Sequence, residues 1–186
     1  QALALLLACA KSVPPLNADN FRYEAALGGG AMFDLGPYAV SAGRVFFGRE
    51  EPVEIEARVT SRGGKGGVDI SFSMLATYPG GRSMVGHFGF DTEYQNHLEV
   101  IGPGVSVKAD RIFTTPANME NKLYVQRRNS SSALSVAPCD NFRIFLDTVI
   151  DAVKTGRHDP LAADLLTDAL ALHRLRASAS EVHKCR

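Results

Sequence analysis

The chain has 186 residues, of which 45% are hydrophobic and 22% charged, with 20 lysines and arginines against 20 aspartates and glutamates. That length suits one domain able to bury about 70% of the surface of its unfolded form. The zero formal net charge excludes the long-range field that would gather nucleic acid or an anionic membrane surface.

The three cysteines, Cys9, Cys139 and Cys185, are odd in number and far apart. They form no C-x-x-C pair and no disulfide framework, which points to a reducing, cytoplasmic compartment. Cys139 opens a helix but has no histidine partner in view, and it reads as inert.

The opening "QALALLLACA" has the apolar core of a secretory signal, but it lacks a basic leader and is too short for a membrane span. It is expected to form a buried strand or a helix end. Because residue 1 is glutamine, the chain is expected to begin inside a longer product. Residues 1–19 are set apart as an atypical segment, before an α+β domain expected at 20–180 and a tail at 181–186.

From Leu27 to Gly48 the spacing predicts one helix, with Phe33, Tyr38, Val40, Ala42, Val45 and Phe46 along an apolar side and Gly48 as a stop. The period then falls to two. Val53–Val59 alternates as a strand with one wet face, and Ser61–Gly67 is a loop by composition. In Val68–Tyr78, Val68, Ile70, Phe72, Met74 and Ala76 face one way, with Asp69, Ser71, Ser73 and Thr77 facing the other. "PGG" turns this strand into Arg82–Phe90. Glu93–Ile101 and Val105–Asp110 follow as strands around a second glycine turn, with shorter strands at Lys122–Arg127 and Ala133–Val136.

Two helices close the chain. Asp140–Gly156 carries a capping aspartate, a terminal glycine and an apolar stripe through Phe142, Phe145, Leu146, Val149, Ile150 and Val153. Asp159–Ala179 opens on a cap followed by proline. A helix, an antiparallel meander and two more helices make an α+β fold, an open sheet with helices on one face. Its other face carries small side chains at Ser71, Ser73, Ser83 and Gly89. This face is either an ordinary wet surface or a seat for something flat, such as a second sheet.

"LGGGAMFDLGPYAV" (Leu27–Val40) is the most pointed stretch. Three glycines before a helix serve either as an anion cradle or as backbone that must pass close to another group. A dinucleotide fingerprint needs a preceding strand and a wider glycine spacing, so a nicotinamide cradle is not expected at Gly28–Gly30. "GGKGG" fails as a phosphate loop, since no Ser or Thr follows its lysine.

In a regular helix Asp34 and Tyr38 would share one face. They then form either a structural pair or an acid orienting a phenol that exchanges a proton with a substrate hydroxyl. The phenol, with a free pKa of about 10, would need a neighbouring cation to act as a base. Arg22 either holds a substrate hydroxyl or phosphate or pairs with an acid such as Glu24. His87 and His97, near Glu99, read as ordinary strand histidines rather than metal ligands, and Arg44 reads as structural. Arg127 and Arg128 read as a solvated loop end.

Asn20–Gly48, with its glycine run, Asp34, Gly36 and Tyr38, resembles the start of the C-terminal domain of the Gfo/Idh/MocA oxidoreductases. The strands, "EYQNHLEVIGPG" and the closing helix pair extend the resemblance to Ala179. It implies a two-domain enzyme in which a Rossmann half binds NAD or NADP. This half would supply the wall of a sugar or cyclitol pocket and a homo-oligomer interface. It further implies proton-relay and orienting roles for Tyr38 and Asp34, completed by a lysine in an E-K-P motif of the other half. Sugar contacts are implied at Arg22, at Tyr94 on a strand, and at Asn96. Neither the Rossmann fingerprint nor E-K-P occurs here, so the chain alone is expected to bind no nicotinamide and to be inactive. The alternative is a non-catalytic carbohydrate-binding or scaffold module that self-associates through its sheet face. Pro37 inside the helical stretch is expected to remove a backbone bond and kink the turn.

Overall fold

The computed structural model describes residues 5–11 and 19–181, with side chains from 19 to 179. Among the described residues nine strands form one open sheet: β1 (Leu5–Lys11), β2 (Glu54–Gly63), β3 (Val68–Tyr78), β4 (Arg82–Gly89), β5 (Asn96–Gly102), β6 (Val105–Asp110), β7 (Asn121–Arg127), β8 (Ser130–Val136) and β9 (Ala179–Glu181). Their order is β8-β7-β6-β5-β1-β4-β3-β2-β9. All neighbours are antiparallel except β1 with β4 and β2 with β9, so the sheet is mostly antiparallel. The fold is the α+β arrangement that the element order implies.

The helices are α1 (Ala31–Asp34), α2 (Gly36–Phe47), α3 (Asn141–Thr155) and α4 (Asp159–Ser178). The period-two pattern of β3 gives the core directly. Ile70, Phe72, Met74, Ala76 and Tyr78 are buried beneath the helices, and Phe72 stacks on Phe88 of β4 at 5.3 Å between ring centroids. Burial pushes the Tyr78 phenol up to about 12, so it stays protonated. A bidentate bond from Arg44 to Asp168 (2.8 and 3.0 Å), with Arg49 on Asp164 (2.6 Å), fastens α2 to α4. This is the structural role expected of Arg44.

On the opposite face, Ser71 bonds Thr60 and Asp91, and Ser73 bonds the His87 ring at 2.9 Å. Leu75 and Val85, paired in register on that face, are each 39% exposed.

Several boundaries differ from the sequence pattern. Of the two readings of the apolar opening, the strand is the one formed, by Leu5–Lys11 between β4 and β5. β2 runs on through Ser61–Gly63, where composition suggests a loop, because bulged pairing with β3 continues to Val68. Asp140 caps α3 through Arg143 N–H (3.0 Å), and Gly156 ends it at φ 68°. In α4, His158 occupies the cap position and Asp159 the first turn. β5 begins at Asn96, so Tyr94 lies in the preceding segment and not on a strand. The single helix expected over Leu27–Gly48 is instead a short turn, α1 and α2. Leu35 (φ −109°, ψ −20°) separates the two helices.

Candidate functional site

The glycine run is a close-approach device. A Cβ on Gly29 would lie 2.6 Å from the Arg22 carbonyl oxygen, and one on Gly30 would lie 2.5 Å from Asp69 Oδ1. At φ 122°, Gly30 also holds a conformation that other residues resist. The amides that a phosphate would need are already engaged. Gly28, Gly29 and Gly30 donate to the carbonyls of Ala25, Glu24 and Arg22 (3.1, 3.0 and 2.9 Å), and Met32 N–H donates to Asp69 Oδ2 at 2.6 Å. Of the two readings of the glycines, the close approach is the one formed.

Asp34 and Tyr38 are not stacked in one regular helix. Pro37 has no N–H to continue the ladder, so it begins a new helix, and Tyr38 N–H bonds the Leu35 carbonyl at 3.1 Å. Asp34 turns instead to Arg22, whose Nε lies 2.9 Å from Oδ2. The buried Nε–H is not aligned on the carboxylate, so the contact is an ion pair without a directed hydrogen bond. Both side chains are partly exposed, and the pair is worth about 1 kcal/mol or less. Arg22 thus pairs with an acid, but with Asp34 rather than Glu24, and its guanidinium lies 4.8 Å over the Phe21 ring.

Tyr38 is half-buried. Its ring packs on Phe113 at 5.4 Å, and its hydroxyl makes no hydrogen bond among the described residues. Phe113 sits in the segment between β6 and β7, which is anchored by Asn96. The buried Asn96 carboxamide donates to Tyr94 Oη (3.0 Å) and Thr114 Oγ1 (2.6 Å) and accepts from Phe113 N–H (3.0 Å). The Asn96 carbonyl accepts from Arg111 N–H at 2.5 Å. Arg111 has φ 53° and places its guanidinium 5.0 Å over the Tyr94 ring. A non-glycine residue held in that region is a local strain that the surrounding bonds sustain.

The fold therefore gathers Tyr38, Phe113, Asn96, Tyr94, Thr114 and Arg111 into one cluster, with Arg22–Asp34 as a separate pair at the end of α1. Sequence reasoning missed Arg111, Phe113 and Thr114. The available signal was "RIFTTP", which sets two bulky apolar residues in a loop that an ordinary solvated connection would leave polar. His87 bonds Ser73, and no group of three metal-ligating side chains converges among the described residues.

An open sheet with helices over one face, and a phenol held at the helix side by an aromatic-bearing loop, make an α+β domain. The chain belongs to the GFO/IDH/MocA family, since the model of the family's C-terminal domain matches residues 7–108. A dTDP-3,4-didehydro-2,6-dideoxy-alpha-D-glucose 3-reductase from Saccharopolyspora spinosa is 30% identical over 81% of this chain and 46% of the relative. An enzyme of the same name from Actinomadura kijaniata is 25% identical over 92% of this chain and 52% of its own. A solved structure of a tyrosine-to-phenylalanine mutant of a 3-ketoreductase from A. kijaniata, in complex with TDP-benzene and NADP, superposes with a TM-score of 0.87 at 25% identity. That match covers 97% of this chain and 55% of the other. The chain spans about half the length of the curated relatives it matches.

Proposed function

We propose that this chain is the substrate half of an NADP-dependent ketoreductase acting on a nucleotide-linked or free sugar, with Tyr38 as its proton donor. The observation that carries the reading is the Tyr38 hydroxyl. It is fixed in place by the Phe113 ring yet has no hydrogen-bond partner among the described residues, so it is free to bond a substrate oxygen. Similarity to two 3-ketoreductases, and to a solved relative holding NADP and TDP-benzene, supports the substrate class.

The amides of the glycine run are taken up by the protein's own carbonyls and by Asp69, so a dinucleotide does not fit there. A nicotinamide bound elsewhere in the full-length protein would supply the hydride. Within this chain, Tyr38 holds the ketone oxygen and gives it a proton as the carbonyl becomes an alcohol. Asp34 fixes Arg22 at the end of α1, where the guanidinium offers hydrogen bonds to a hydroxyl or phosphate of the substrate. Asn96 acts by anchoring Tyr94 and the Phe113 loop, with Tyr94 as an aromatic wall beside them.

Self-association through the open sheet face belongs to the same proposal and is supported by the adjacent exposed pair Leu75 and Val85. So do a cytoplasmic location and inactivity of this chain by itself. No helix of the described residues is long and apolar enough to cross a membrane.

The test is Tyr38→Phe in the full-length protein, assayed for NADPH-dependent ketosugar reduction. kcat should fall about 100-fold or more while KM changes little. Retention of kcat within about threefold would remove Tyr38 from the chemistry.

A further inference from the structure

"RIFTTP" (residues 111–116) places an arginine two positions before the phenylalanine that packs on Tyr38, so the two stretches of backbone lie within about 7 Å. Among the described residues Arg111 is the only one other than glycine at positive φ. Its N–H donates to the Asn96 carbonyl at 2.5 Å, and Thr115 Oγ1 donates to its own carbonyl, which holds the turn. Strain sustained in this way collects at sites that meet a ligand. The exposed guanidinium makes no ion pair and no hydrogen bond among the described residues; its partner is the Tyr94 ring, 5.0 Å away. An aromatic face restrains a guanidinium and leaves its five N–H donors free. Acids of the adjoining segments are already engaged. Asp34 lies 2.9 Å from Arg22 Nε and Asp110 3.6 Å from Lys108 Nζ, while Asp91 accepts from Ser71 at 3.0 Å. Arg111 thus brings a cation that these acids do not neutralise to the cluster that holds Tyr38.

We propose that Arg111 grips a phosphate of the substrate, so that this site selects a ketosugar linked to a nucleotide through a diphosphate over a free one. A free sugar is neutral and gives an unmatched cation only hydroxyl contacts. A diphosphate presents several charged oxygens, and an arginine fork binds two of them side by side. Arg111 and Tyr38 share one short segment without being partners of each other. A nucleotide-linked ketosugar has the same division, with a sugar ring between its ketone and its phosphates. Arg22, whose charge Asp34 already meets, is left to the hydroxyls that linked and free sugars have in common. This inference rests on the catalytic reading above for where the ketone lies.

The test uses Arg111→Gly in the full-length protein. Glycine adopts φ 53° without strain, so the variant removes the guanidinium and keeps the turn. TDP and UDP are titrated by calorimetry with NADP saturating, so that neither reports on a dinucleotide site. The tighter of the two should lose about 30-fold or more in affinity in the variant, with the melting temperature within about 2 °C of wild type. The matching nucleotide-linked ketosugar should lose a similar factor in kcat/KM, mostly through KM, while the free ketosugar changes less than about threefold. Arg111→Lys, which keeps the charge and loses the fork, should fall between the two. Arg22→Ala should weaken both sugars alike. A wild type that binds neither TDP nor UDP would overturn the proposal. So would affinity retained within about threefold in Arg111→Gly, or equal losses on the two sugars. Diphosphate binding that depends on Arg111, in a protein that reduces no ketosugar, would keep the phosphate grip and sink the catalytic reading. Ketosugar reduction abolished by Tyr38→Phe yet indifferent to Arg111→Gly would do the reverse.

Discussion

Replacing Asn96 by alanine removes three hydrogen bonds at once: those to Tyr94 Oη, to Thr114 Oγ1 and from Phe113 N–H. A neutral hydrogen bond contributes about 1 kcal/mol net, and a donor left unpaired away from water costs about 1–3 kcal/mol. Tyr94 and Thr114 recover water when freed. Phe113 N–H is half-buried and recovers it only in part, so the total loss is about 2–3 kcal/mol. For a domain of this size each kcal/mol shifts the melting temperature by roughly 2–4 °C, which gives a drop of roughly 4–12 °C. Thermal and urea unfolding of the wild type and of Asn96→Ala measure this directly. In the full-length enzyme the freed Phe113 would no longer hold the Tyr38 ring, so kcat should fall more than KM rises. Asn96→Asp should recover most of the loss, since a carboxylate accepts the Phe113 N–H and the Tyr94 and Thr114 hydroxyls turn to donate to it. A melting temperature within about 2 °C of wild type, or a pure KM effect, would show that Asn96 meets the substrate directly and does not organise the loop.

The sheet face offers a second measurement: Leu75→Glu should convert a self-associating protein to a smaller species by sedimentation, with its melting temperature little changed. Calorimetry of the 186-residue chain with NADP should show no binding, and micromolar affinity would refute the account of the glycine run. For pH, the hydrogen bond from Arg49 holds the Asp164 carboxyl below its ordinary value of 3.8, partly against desolvation and helped by the Arg44 charge. A group depressed in the folded state stabilises fully above its unfolded pKa and loses that contribution as pH falls through its folded value. Wild type should therefore melt above Asp164→Asn at neutral pH, with the gap closing in acid below the carboxylate range. A gap that persists there would refute the assignment.

Much of the architecture follows from local periodicity. The alternation of Val68–Tyr78 sets which side of β3 is buried whatever the strand pairs with, because side chains on a strand point to alternate faces. Asp140 and Gly156 bound α3 by satisfying its own terminal groups, so they too are legible along the chain. The motif of Asp34, Gly36 and Tyr38 identifies the family for the same reason, as a pattern of neighbours. Tertiary structure decided the rest. Pro37 divides the helix, but only the packed fold turns Asp34 toward Arg22 and sets Phe113 against Tyr38 across 75 positions of chain. The family resemblance implies a sugar contact at Asn96, and only the closure of the β6–β7 segment over it shows both donors and the oxygen of that amide engaged by the protein. Periodicity records which way a side chain points. What it meets there depends on register and loop closure, which no short stretch of sequence contains.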